Sequence, residues 1–136
     1  METLAWKVRI AVLWIFLAVM MSASVGLVLL EPGAIEEIMT GEMEGTEISE
    51  GLLLMSSLLW LLPLIMAFLS VSLRDKANRW TNVGVGIFFT VFNIGHLLGH
   101  LTEGELPSPL VLTHLAMVIA PALIFWHGLR WPKPSG

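Results

Sequence analysis

Residues 51–73 read GLLLMSSLLWLLPLIMAFLSVSL, from Gly51 to Leu73, without one charged side chain. At 1.5 Å rise per residue, a helix of this length covers about 35 Å, more than the roughly 30 Å hydrocarbon core of a bilayer. The stretch reads as a membrane-spanning helix, and that reading decides the fold. Pro63 lies near its middle and predicts a kink, because proline removes a helical hydrogen bond there. Ser56 and Ser57 could bond to another helix. The turn that follows, Arg74 to Arg79, carries three basic residues and allows only a hairpin connection. A second apolar stretch, Trp80 to Thr102, must then cross back.

Working outward, Ile10 to Leu30 is another run without a charge, preceded by Lys7 and Arg9. Ser22-Ala23-Ser24 resembles a signal-peptide cleavage site, but the apolar run continues to Leu30, which predicts an uncleaved anchor. A fourth span extends from Pro109 to Leu129 and holds Pro121. Whole-chain composition agrees. Of 136 residues, 56% are hydrophobic and 13% charged, against roughly 25% charged in soluble domains. The expected fold class is all-α: one domain, residues 1–136, folded as a four-helix transmembrane bundle.

All seven Lys and Arg fall before span one, between spans two and three, or after span four. Nine of the eleven acids fall in the other two loops. The positive-inside rule then puts both termini in the cytoplasm, with the cell membrane as the expected location. Trp6, Trp80 and Trp131 sit where interfacial anchors belong. The first outer loop, Glu31 to Glu50, has seven glutamates and no basic residue. Pro32, Ile35, Ile38 and Met39 predict a short interfacial helix ending at Gly41, followed by a flexible turn. The loop reads either as a solvated acidic segment or as a mouth that attracts cations.

Composition also excludes several functions. Without cysteine there is no disulfide, thiol redox chemistry or thiolate metal site. Seven scattered basic residues give no nucleic-acid signature. No carboxylate lies inside a span, which argues against small four-helix drug exporters. No nucleotide loop, metalloprotease HExxH or other catalytic constellation is legible.

The chemistry gathers on span three. Asn93, His96, His100 and Glu103 fall within an arc of about 80° on a helix. His96 lies about 9 Å below the outer end of its span, and His114 about 7–8 Å below the outer end of span four. Three imidazoles and a carboxylate can therefore meet in the outer half. Imidazole with carboxylate suits Zn, Cu, Ni or Fe, and one imidazole suffices for haem. The candidate metal residues are His96, His100, His114 and Glu103, with Asn93 orienting His96 or bonding a neighbouring helix. Met117, on the same side as His114, is a candidate soft ligand. The competing readings are hydrogen bonds between helices and a proton path. His127, about 20 Å along span four from His114, points elsewhere.

Small residues mark a second feature. Gly95 and Gly99 form a GxxxG pair, and Ser22 and Gly26 a small pair, both allowing close helix approach. They suggest a non-catalytic membrane subunit or interaction module. Its partners would be lipid and either a second copy or another membrane protein.

Several strings resemble a family of small four-helix integral membrane proteins with no assigned function. They are LWIF (Leu13–Phe16), EEIMTG (Glu36–Gly41), GLLL (Gly51–Leu54), MAFLS (Met66–Ser70), NRWTN (Asn78–Asn82) and the closing IFWHGLRWP (Ile124–Pro132). The resemblance implies the four-helix architecture and supplies no catalytic residue. GHLLGH, Gly95 to His100, departs from that family's pattern, so the histidine pair belongs to this protein or to a subgroup.

Overall fold

The computed structural model describes residues 2–103 and 108–132, without the side chains of Glu2, Glu103 and Ser108. Its elements are α1 (Glu2–Val28), α2 (Ala34–Met39), β1 (Glu42–Met43), β2 (Thr46–Glu47), α3 (Glu50–Ser72), α4 (Asp75–Glu103) and α5 (Ser108–Leu129). The four long helices are each long and apolar enough to cross a membrane. The expected all-α four-helix bundle is the fold.

The helices start earlier than their apolar runs. α1 begins eight residues before Ile10, and α4 begins at Asp75, inside the stretch expected to be a turn. Asp75 sits in the first turn of α4, where a negative charge favours the helix dipole. The true turn is only Leu73–Arg74. Ser49 caps α3, its hydroxyl accepting the Leu52 N–H at 3.2 Å. Lys7 Nζ donates to Leu73 O at 2.8 Å and pairs with Asp75 at 2.9 Å. It thereby ties the start of α1 to the α3–α4 turn.

The packing order differs from chain order. α1 lies against α3 and α5, and α5 lies against α4. α3 and α4, though consecutive, pack on each other little. Ile10, Trp14, Leu17, Met66, Phe89 and Ile124 are fully buried at the shared centre. Trp14 meets Phe89 edge-on, their ring centroids 5.7 Å apart. Leucines 53, 54, 58, 61 and 64 and Phe68 of α3 are exposed, the surface a lipid-facing helix presents. Pro63 and Pro121 are both buried within their helices. Trp131 is buried in the core cluster, unlike the exposed Trp80 and unlike the anchor role expected for it.

Close helix approach occurs at other glycines than expected. A Cβ on Gly86 would lie 3.0 Å from Phe125 N, and one on Gly128 would lie 2.7 Å from Val83 Cγ2. These two glycines seat α4 on α5. Gly95, Gly99 and Gly26 have nothing within 4 Å of an added Cβ, so among the described residues the GxxxG pair holds no helix contact. Ser22 bonds back to Ala18 O in its own helix. Gly86→Ala should therefore cost about 1–3 kcal/mol, because Phe125 backbone cannot move aside alone. Gly95→Ala and Gly99→Ala should be neutral or stabilise by up to about 1 kcal/mol, through helix propensity. Thermal unfolding of the three variants in detergent checks the order.

The loop after α1 is more ordered than its composition predicts. α2 forms where the isoleucines indicated, with no buried residue. A two-stranded hairpin then replaces the expected flexible turn, pairing Glu42 with Glu47 and Met43 with Thr46. Its two turn residues, Glu44 and Gly45, both have positive φ, at 51° and 69°. Such two-residue turns match the natural twist of a hairpin.

Candidate metal centre

α4 presents a continuous inward face. Its buried positions include Asn78, Asn82, Gly86, Phe89 and Asn93, at intervals of three and four. One turn beyond Asn93 the helix carries His96, which is exposed, and His100, which is half-buried, both beside α5. α5 supplies His114 from the other side. The ring centroids of His96, His100 and His114 lie 4.6, 5.0 and 4.9 Å apart pairwise. One nitrogen from each ring lies within 4.8 Å of the others.

The inner imidazole is the most informative. His114 is 2% exposed, and its Nδ1 lies 2.8 Å from Leu110 O. A carbonyl oxygen only accepts, so Nδ1 carries the proton and Nε2 holds the lone pair. That Nε2 is buried with no hydrogen-bond partner among the described residues. An N–H to a backbone carbonyl is also how metal-bound histidines are commonly oriented. His96 Nε2 and His100 Nε2 are 3.4 Å apart. Two nitrogens each about 2.0–2.1 Å from a tetrahedral ion are separated by about 3.3–3.4 Å, so this edge already fits. The remaining contacts need to shorten by at most about 1.5 Å, within reach of imidazole rotation.

The other expected residues are placed differently. Asn93 is buried beneath the cluster, but its Nδ2 donates to Phe89 O in its own helix at 2.8 Å. It bonds neither His96 nor a neighbouring helix, and its Oδ1 has no partner. The Glu103 side chain lies outside the described residues. Met117 is buried and lines a cavity together with His96. His127 is remote: its Nδ1 bonds Leu123 O, and its ring packs 5.0 Å from Trp6.

Two cavities meet the trio. One, of about 270 Å³, is lined by Glu31, Glu37, Glu44 and His100. The other, of about 350 Å³, opens between α3 and α4 and is lined by Met21, Met55, Met117 and His96. Glu44 borders both. Its carboxylate lies 3.9 Å from His100 Nε2. The hairpin that carries it is fixed by the Gly45 N–H, which donates to Glu37 Oε1 at 2.7 Å, and by the Ile48 N–H, which donates to Gly41 O at 2.8 Å. Glu44 adopts a left-handed conformation that costs a non-glycine residue roughly 1–2 kcal/mol.

A second polar group lies at the opposite end of the bundle. Asn82 Oδ1 accepts from Trp14 Nε1 at 2.6 Å and from the Ser70 hydroxyl at 3.1 Å. Asn82 Nδ2 donates to Asn78 Oδ1 at 2.6 Å, and Asn78 Nδ2 donates to Ser70 O at 2.5 Å. Ser70, Asn78 and Asn82 are all fully buried. This network ties α1, α3 and α4 together. The sequence signal was present, since two asparagines four apart share a helix face. It was obscured because residues 74–79 read as a turn.

No curated protein and no solved structure matches the chain. A family model does, and its match takes in the asparagine network, the hairpin, His96 and His100 but stops before His114. The chain belongs to that family across residues 3–100: the family of unknown function DUF6326.

Proposed function

We propose that this protein binds one divalent transition-metal ion through His96, His100 and His114, near the outer face of the cell membrane, with both termini in the cytoplasm. The observation that carries the reading is His114 Nε2, a lone pair buried without a partner among the described residues, on a ring grouped with the imidazoles of His96 and His100. Leaving such an atom unpaired is costly, and a metal ion satisfies it. The alternative of hydrogen bonding between helices finds little support. His96 and His100 meet within one helix, and His114 bonds the backbone of its own. Three imidazoles converging on one point also favour a bare ion over haem, which takes one or two axial ligands.

The test is a titration of purified, chelator-stripped protein in detergent with Zn²⁺ and Co²⁺. One ion per chain, with Co²⁺ absorption bands of a low-coordinate nitrogen site, is the expected result. A folded protein indifferent to Zn²⁺, Co²⁺, Ni²⁺ and Cu²⁺ would sink the reading. The second reading, a non-catalytic membrane subunit, would then take its place. It draws on Gly95 and Gly99, which have open space where another helix could pack.

A further inference from the structure

We infer that Glu44, at the tip of the hairpin, supplies the carboxylate of this centre and completes a site of three imidazoles and one carboxylate. The inference rests on the proposed three-histidine site. The sequence pointed to Glu103, the acid that follows His100 on its own helix. The fold brings a different acid over the cluster, from 52 positions earlier in the chain than His96. Glu44 is the carboxylate within 4 Å of a cluster imidazole among the described residues.

Four observations converge on it. The carboxylate lies 3.9 Å from His100 Nε2, and glutamate has enough side-chain torsions to close that gap. Glu44 borders both cavities, so it stands between the acidic one that touches His100 and the methionine-lined one that touches His96. The buried Nε2 of His114 has no hydrogen-bond partner among the described residues, so its lone pair is free to bind an ion together with a carboxylate. Finally, a hairpin turn of this type favours Asn, Asp or Gly at its first position. A glutamate there is held against its backbone preference, and residues held so are concentrated at ligand sites.

The added carboxylate has a chemical consequence. Three nitrogens and one anionic oxygen suit a borderline divalent ion such as Zn²⁺ or Co²⁺, whereas Cu⁺ prefers thioether and thiolate donors. The charge also lowers the cost of bringing a dication to a site at the end of an apolar bundle. Glu31 and Glu37 line the cavity that ends at His100, so a hydrated cation approaching from that side meets carboxylates first.

The experiment is a Co²⁺ titration of the full chain in detergent, followed by absorption, for the wild type, Glu44→Gln, Glu44→Gly and Glu47→Gln. Glu44→Gln should weaken binding by at least the roughly 10–100-fold that loss of an outer partner costs a metal site, and should shift the absorption bands. Glu44→Gly should lose as much, although glycine relieves the positive φ and leaves the hairpin at least as well formed. Glu47→Gln removes a charge from the same hairpin and should bind like the wild type. Wild-type binding with Glu44→Gln unchanged overturns the assignment of Glu44 and leaves the three histidines standing. Equal losses in Glu44→Gln and Glu47→Gln overturn it too, in favour of diffuse attraction by the acidic loop. A wild type that binds no Co²⁺ overturns the three-histidine reading itself.

Discussion

His114→Leu is expected to abolish metal binding while leaving the metal-free bundle as stable as before, or more so. Affinity for Zn²⁺ or Co²⁺ should fall by more than about 100-fold, beyond the loss that follows removal of an outer hydrogen-bond partner. Stability without metal should move the other way. Leucine removes a buried, unpartnered nitrogen, whose burial costs about 1–3 kcal/mol. It also gives up the Nδ1–H bond to Leu110 O, worth about 0.5–1.5 kcal/mol. The difference lies between about −0.5 and +2.5 kcal/mol, on balance in favour of the variant. A residue that holds helices together would show the reverse, a clear loss of stability with no metal present. Unfolding curves of chelator-stripped wild type and variant, beside a metal titration of each, separate the two. His127→Leu, near the other end of α5, should leave metal affinity unchanged.

Asn82→Leu should be among the most destabilising single substitutions in the chain, costing about 2–4 kcal/mol. Asn82 is fully buried and bonds Trp14, Ser70 and Asn78. Removing its amide strands the indole N–H of the fully buried Trp14. The Asn78 carbonyl oxygen loses its donor as well. Individual side-chain bonds between membrane helices average only about 0.6 kcal/mol, so the size of the effect depends on several being lost at once. Trp14→Phe should cost less, about 1–2 kcal/mol, because it removes one bond and leaves the Asn82 amide bonded to Asn78, with the Ser70 hydroxyl, shared with Met66 O, still beside Asn82 Oδ1. The double variant should fall short of the sum, since both changes remove the same bond. Unfolding in denaturing detergent gives all three values. An Asn82→Leu protein as stable as the wild type would mean the network contributes nothing.

How much of this was legible beforehand follows from which interactions are local. The four spans were readable because bilayer thickness sets helix length, and charge cannot sit at the centre of the membrane. His96 and His100 were readable because i,i+4 is one helical turn. His114 could be matched to them by counting rise from the outer ends of two helices. Glu44 could not, because nothing local indicates that a Glu-Gly pair will fold a hairpin back over His100. That placement depends on the Gly45 to Glu37 bond, an interaction between two exposed polar groups eight residues apart. The asparagine network was hidden for a related reason. A charged start such as RDKANR looks like a loop until Lys7 and Ser70 are seen to satisfy polar groups of Asp75 and Asn78. The glycines show the same limit. GxxxG is a local pattern, but which glycine meets a neighbour depends on how α5 is seated.

The weak packing of α3 on α4 gives the molecule a lever. The two helices are held at one end by Ser70, Asn78 and Asn82, and the 350 Å³ cavity separates them toward the other. Any swing of α3 about that fixed end is smallest at Ser70 and largest at its first residue, Glu50. Only Ile48 and Ser49 lie between Glu50 and the strand Thr46–Glu47, so the hairpin tip must follow. The exposed leucines of α3 face the lipid that would push on it. Movement of α3 in the bilayer would in this way be carried along about twenty residues of helix, and through Ile48 and Ser49, to the Glu44 carboxylate beside His100.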